Sequence, residues 1–122
     1  MKNLLASFRN GFRGIAATFR TERNFKLHVL AAVVVAVFGF WLNIPAGEWI
    51  AVLLAMAMVM GAEAMNTGLE SLANAVHPEK HPLIRKAKDA GAAAVLIAAI
   101  AAAAVGGIVF GPKLWMWLNS LI

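Results

Sequence analysis

Gly61-Ala-Glu-Ala-Met-Asn-Thr-Gly-Leu-Glu70 decides how the chain is read. It follows an apolar run and places Glu63, Asn66 and Glu70 where a membrane helix should carry no charge. At about 100° per residue, positions i, i+3 and i+7 fall within a sector of roughly 60°. The two carboxylates therefore share a helix face, about 10 Å apart along the axis. An ionisable residue in a spanning segment is costly, so its presence argues for function. The rest of the chain reads as the scaffold of this face.

The 122 residues suffice for one domain, taken as 1–122. Hydrophobic residues make up 61% and charged residues 14%, against about 25% charged in soluble domains. That shift points to a membrane protein. The absence of cysteine excludes disulfide and thiolate chemistry. The formal charge is +5, but the basic residues flank apolar spans. Lipid headgroups and phosphorylated small molecules are thus the expected partners, and nucleic acid is not. No signal peptide is expected, because the N-terminal segment lacks a continuous apolar core.

Residues 2–20 read as an amphipathic helix lying in the membrane interface. Leu4, Leu5, Phe8, Phe12, Ile15 and Phe19 form its apolar stripe, flanked by Lys2, Arg9, Arg13 and Arg20. Thr21 to His28 reads as a short polar hinge. Three membrane helices follow, over 25–44, 48–75 and 84–110. Pro45-Ala46-Gly47 is expected to break the chain between the first two, and Gly111-Pro112 to end the third. Trp115 and Trp117 then fall in a short tail. Glu63 lies about 21 Å along its helix from Trp49. In a core roughly 30 Å thick, that leaves Glu63 sheltered in one leaflet and Glu70 near the interface.

Charge sets the expected topology. Basic residues cluster before residue 27 and over 80–88, whereas the opposite side carries only Lys113. The positive-inside rule puts the N-terminus and the 76–89 loop in the cytoplasm and the C-terminus outside an inner membrane. Trp41, Trp49, Trp115 and Trp117 all map to the outer interface as an aromatic belt. Three spans make a thin bundle, so Glu63 is expected to face lipid unless a second copy covers it. A homo-oligomer follows from that expectation.

On the cytoplasmic side the sequence gathers Glu22, Glu63, Asn66, Glu70, Lys88 and Asp89. There is no HExxH, CxxC or GxxxxGK[ST] pattern. The histidines His28, His77 and His81 lack metal-site spacing. Carboxylates suit a hard divalent cation, and Mg²⁺ is commonly held by one or two of them plus substrate phosphates. A lysine neutralises phosphate, as phosphoryl transfer requires. Glu22 and Glu70 are the candidate metal ligands. Glu63, deeper and partly desolvated, suits a general base. Competing readings are a proton- or ion-conducting oligomer using Glu63 and a non-catalytic interaction subunit. Conduction needs ionisable residues across the whole bilayer, and here they stop at one leaflet. An interaction subunit leaves Glu22, Glu70 and Lys88 unexplained.

Three stretches carry a family resemblance: Thr21-Glu-Arg-Asn-Phe-Lys26, Glu63-Ala-Met-Asn-Thr-Gly-Leu-Glu70, and Lys86-Ala-Lys-Asp89 followed by Ala90-Gly-Ala-Ala-Ala-Val-Leu-Ile97. The chain resembles the small prokaryotic integral-membrane diacylglycerol kinase and undecaprenol kinase family from about Ser7 to Ile108. The resemblance implies transfer of the γ-phosphoryl of Mg-ATP to a lipid alcohol. It also implies an interfacial helix plus three spans per subunit, in a homotrimer with sites between subunits. Carried onto matching positions, Glu63 is the catalytic base, while Glu22 and Glu70 hold Mg²⁺. Asn66 positions groups beside them, Lys88 meets the nucleotide phosphates and Asp89 contacts the nucleotide. Glu79 and His81 lie where the loop approaches adenine. Ser7 and Arg13 border lipid and nucleotide entry. Asn74 departs from the family pattern, which often has Asp there. Gly68, mid-helix, is expected to permit close helix approach. The T-E-R-N-x-K and H-P-L stretches look more like the undecaprenol branch.

Overall fold

The computed structural model describes residues 2–122. They form α1 (Lys2–Thr21), α2 (Arg23–Trp41), α3 (Ala46–Val76) and α4 (Pro82–Asn119), with no strand among the described residues. The helices α2, α3 and α4 are each long and apolar enough to cross a bilayer. The fold is therefore the all-α membrane architecture expected from the hydropathy.

Each boundary has a local cause, and several differ from the sequence reading. The polar hinge after α1 shrinks to Glu22 alone, which is extended at φ −104° and ψ 115°. One extended residue is enough to redirect the chain. The second helix then stops at Trp41 rather than at residue 44. Asn43 adopts φ 50°, a left-handed conformation that asparagine tolerates better than most side chains. The Ile44 N–H donates to the Gly39 carbonyl at 3.1 Å and the Asn43 N–H to the Phe40 carbonyl at 3.2 Å. This paired pattern is a Schellman cap, which satisfies carbonyls the helix end would otherwise orphan. It also tucks Ile44 into the core.

Proline plays a different part from the one expected. Pro45 is the N-cap of α3, and Ala46 and Gly47 already belong to that helix. Pro82 opens α4, where its missing N–H costs nothing. Pro112 lies inside α4, which continues to Asn119, so Trp115 and Trp117 are helical. The preceding residue is Gly111, which has no Cβ to clash with the proline ring. Beside this break the Lys113 ammonium donates to the Val109 carbonyl at 3.2 Å and to Glu48 Oε1 at 2.8 Å. That ion pair ties α4 to the start of α3.

The core sits at this tryptophan end. Ile44, Val52, Val109 and Phe110 are buried together, with Phe38, Trp49 and Leu114 against them. Trp41 meets Trp117 edge-on at 5.2 Å, and Phe40 meets Trp49 at 4.8 Å. A Cβ on Gly39 would stand 2.6 Å from the Trp49 ring, so any larger residue there must displace that ring. α4 packs along α3 over most of its length, and α2 packs on α3 less extensively. α2 and α4 diverge from the tryptophan end, leaving an apolar cleft lined by Ala31, Ala32, Ala99, Ala102 and Phe110, among others.

α1 returns over α2 and α3. Its apolar stripe, Leu4 through Phe19, stays exposed, which suits a helix whose partner is lipid. A groove between α1 and the bundle runs past Phe12, Phe19, Phe25, Met60, Gly61 and Ala64.

The cap at Asn43 can be tested directly. Asn43→Gly should hold or raise stability, while Asn43→Val should lower it by about 1–2 kcal/mol, the cost of forcing a branched side chain left-handed. Denaturant unfolding of the purified protein in detergent measures both.

Candidate active site

Glu63, Asn66 and Glu70 lie on α3, on the part that extends away from the tryptophan end. Their exposure differs along the helix. Glu63 is only 4% exposed, Asn66 is half-buried and Glu70 is open. The Thr67 hydroxyl donates back to the Glu63 carbonyl at 3.0 Å. The expectation that a second copy must cover Glu63 is overturned, since one chain alone buries it. Within the chain α1, α2 and α4 all pack on α3.

α4 runs antiparallel to α3 and brings a second set of groups alongside. Gly91 faces Asn66, and a Cβ there would overlap Asn66 Oδ1 and stand 3.0 Å from a Leu69 methyl. Close approach thus belongs to Gly91. Gly68, expected to serve this purpose, has open space around it. Asn66 Oδ1 is buried and accepts no hydrogen bond within the protein. Such an orphan is costly and argues for a partner that binds there.

Further along the seam the Lys88 ammonium donates to Asn74 Oδ1 at 2.6 Å. Asn74 is four residues past Glu70 and eight past Asn66, so it continues their face. Sequence reading noticed Asn74 only as a departure, although its spacing already placed it on this stripe. Asp89 is exposed and lies 3.8 Å from Arg85 one turn earlier, an open pair worth little energetically.

The remaining expected residues are dispersed. Glu22 is half-buried at the α1–α2 break, and its carboxylate does not cap α2. Glu79 is exposed in the loop, 3.7 Å from His77 Nδ1. His81 Nδ1 accepts from the Leu83 N–H at 3.1 Å, so this ring nitrogen is committed to capping α4. Ser7 donates to the Asn3 carbonyl at 2.9 Å, and Arg13 is exposed on α1. Among the described residues no three acidic, histidine or cysteine side chains converge as a metal cage. The donor set is instead hard carboxylate oxygen in small number, which matches the way Mg²⁺ is shared between protein, phosphate and water.

Comparison with known proteins gives this arrangement its class. The family described as prokaryotic diacylglycerol kinase matches residues 9–110. The undecaprenol kinase of Bacillus subtilis is 36% identical over 114 residues, covering 93% of this chain and 93% of that protein. The diacylglycerol kinase of a Synechocystis species is 41% identical over 113 residues, covering 92% of this chain and 65% of that protein. The diacylglycerol kinase of Escherichia coli K12 is 32% identical over 91 residues, or 75% of each chain. The chain belongs to the prokaryotic diacylglycerol kinase family. It is a lipid kinase and a multi-pass membrane protein. The conducting-oligomer and interaction-subunit readings are set aside, since both required a chain without catalysis.

Gly91→Val should push Asn66 out of place and part α3 from α4 at this level. Phosphotransfer should fall at least about tenfold, while the melting temperature drops only a few degrees because the core lies at the other end. Parallel activity and thermal-unfolding measurements check the split.

Proposed function

We propose that this lipid kinase transfers the γ-phosphoryl group of ATP to the hydroxyl of diacylglycerol or undecaprenol, yielding phosphatidic acid or undecaprenyl phosphate. The observation that carries the reading is the graded face of α3. A buried carboxylate, an unpartnered amide and an open carboxylate stand in order, with a lysine clamped alongside. A greasy alcohol approaches the sheltered end, and a hydrated triphosphate approaches the open end.

In this reading Glu63 accepts the proton of the lipid hydroxyl as its oxygen bonds to the γ-phosphorus. The bond to the bridging oxygen breaks and ADP departs. General-base assistance of this kind contributes about 10²–10⁴-fold. Asn66 orients the reacting groups, and Ser7 borders the lipid's path. Lys88 neutralises phosphate charge. Asp89, Glu79, His81 and Arg13 complete the nucleotide's surroundings. Glu22 and Glu70 are the residues that would hold Mg²⁺, which when bound offsets charge on the phosphates. Their separation on different elements favours a site completed by the nucleotide and by a neighbouring subunit, as in the homotrimer implied by the resemblance. The clustered cations support an inner-membrane protein with this site in the cytoplasm.

The test supplies labelled ATP and Mg²⁺ to the protein in lipid vesicles containing diacylglycerol, undecaprenol, ceramide or monoacylglycerol. At least one of the first two should be phosphorylated. Glu63→Gln should lose at least about 100-fold in turnover, and Glu70→Gln should raise the Mg²⁺ concentration required. Unchanged turnover in the first variant would remove Glu63 as the base, and unchanged metal dependence in the second would remove Glu70 as a ligand.

A further inference from the structure

Two lysines near opposite ends of α4 reach across to α3, and they meet different chemistry. At the tryptophan end Lys113 meets a carboxylate, with Glu48 Oε2 2.7 Å from its ammonium. At the other end Lys88 meets an amide, Asn74 Oδ1, at 2.6 Å. Both contacts join the same pair of helices. Only the first cancels the lysine's charge. Among the described residues no carboxylate lies within 4.0 Å of Lys88, and its neighbour Asp89 leans toward Arg85.

We propose that Asn74 is a positioning residue of the nucleotide site, one that holds the Lys88 ammonium in place without neutralising it. The inference rests on reading Lys88 as a phosphate-contacting group. An ammonium has three donors. Asn74 engages one and fixes the head of a long, flexible side chain, which lowers the ordering cost when a ligand binds. Two donors and the full positive charge remain for phosphate oxygens. Asn74 also lies on the face that carries Asn66 and Glu70, so the clamp sets the ammonium in line with them.

A purely structural role makes a different prediction. If the contact served only to tie α3 to α4, aspartate would do at least as well, because a charge-assisted bond is stronger than a neutral one. Glu48 serves in that way for Lys113. Asparagine and aspartate have nearly the same shape, so Asn74→Asp changes charge and little else.

The experiment uses the full-length protein in lipid and measures binding of the Mg²⁺ complex of the non-hydrolysable triphosphate AMP-PCP by calorimetry at several salt concentrations. Binding needs no knowledge of the lipid substrate. Thermal unfolding is recorded for the same samples. Asn74→Asp should weaken binding about fivefold and flatten its salt dependence, with a melting temperature equal to or above that of the parent. Asn74→Ala should weaken binding with a lower melting temperature. Lys88→Met is the reference and should weaken binding most. Parent-like binding by Asn74→Asp beside weakened Lys88→Met would overturn the role of Asn74 while leaving that of Lys88 intact. Parent-like binding by Lys88→Met would overturn the phosphate role of Lys88, and this inference with it.

Discussion

The seam between α3 and α4 is set by missing volume at one position. Because Gly91 has no side chain, Asn66 can occupy the space between the two helices. Along the same seam Lys88 falls beside Asn74, and the tryptophan-end core closes around Val109 and Phe110. A helix pair in lipid gains little from hydrophobic burial, since lipid tails are as apolar as leucine. Close backbone approach and a few polar contacts must therefore supply the specificity. This chain puts polar contacts at the two ends of the seam and small residues between them.

The division of labour between the ends follows from what each must tolerate. The tryptophan end is closed by buried apolar residues, aromatic edges and a neutralised ion pair. It resembles the core of a small soluble domain. The carboxylate end has no such core. It retains an amide oxygen with no donor and an ammonium with no carboxylate partner; the first suits a ligand hydrogen-bond donor and the second an anion. Stability lent by one end thus supports unmet chemistry at the other.

Much of this was readable from single-helix spacing. Apolar runs long enough to span a bilayer located α2, α3 and α4. The i, i+3, i+7 pattern placed Glu63, Asn66 and Glu70 on one face. What escaped was everything that depends on two helices at once. The Gly91–Asn66 and Lys88–Asn74 contacts depend on how the 77–81 loop sets the register of α4, and no periodicity within one helix reports that. Burial of Glu63 by its own chain likewise depends on how the other helices pack on α3. The helix ends were misjudged where proline was read as a breaker. Pro45 stands at a helix start, and Gly111 lets Pro112 remain helical.

The spans differ greatly in length, at 19 residues for α2 against 31 for α3 and 38 for α4. At 1.5 Å per residue α2 measures about 28 Å, close to a hydrocarbon core of about 30 Å. It is pinned by polar Glu22 and Arg23 at one end and by the Asn43 cap at the other. The two longer helices exceed that thickness. α2 is therefore the span whose length most closely matches the hydrocarbon core. A thinner bilayer favours tilt of this helix, whereas a thicker one exceeds its reach.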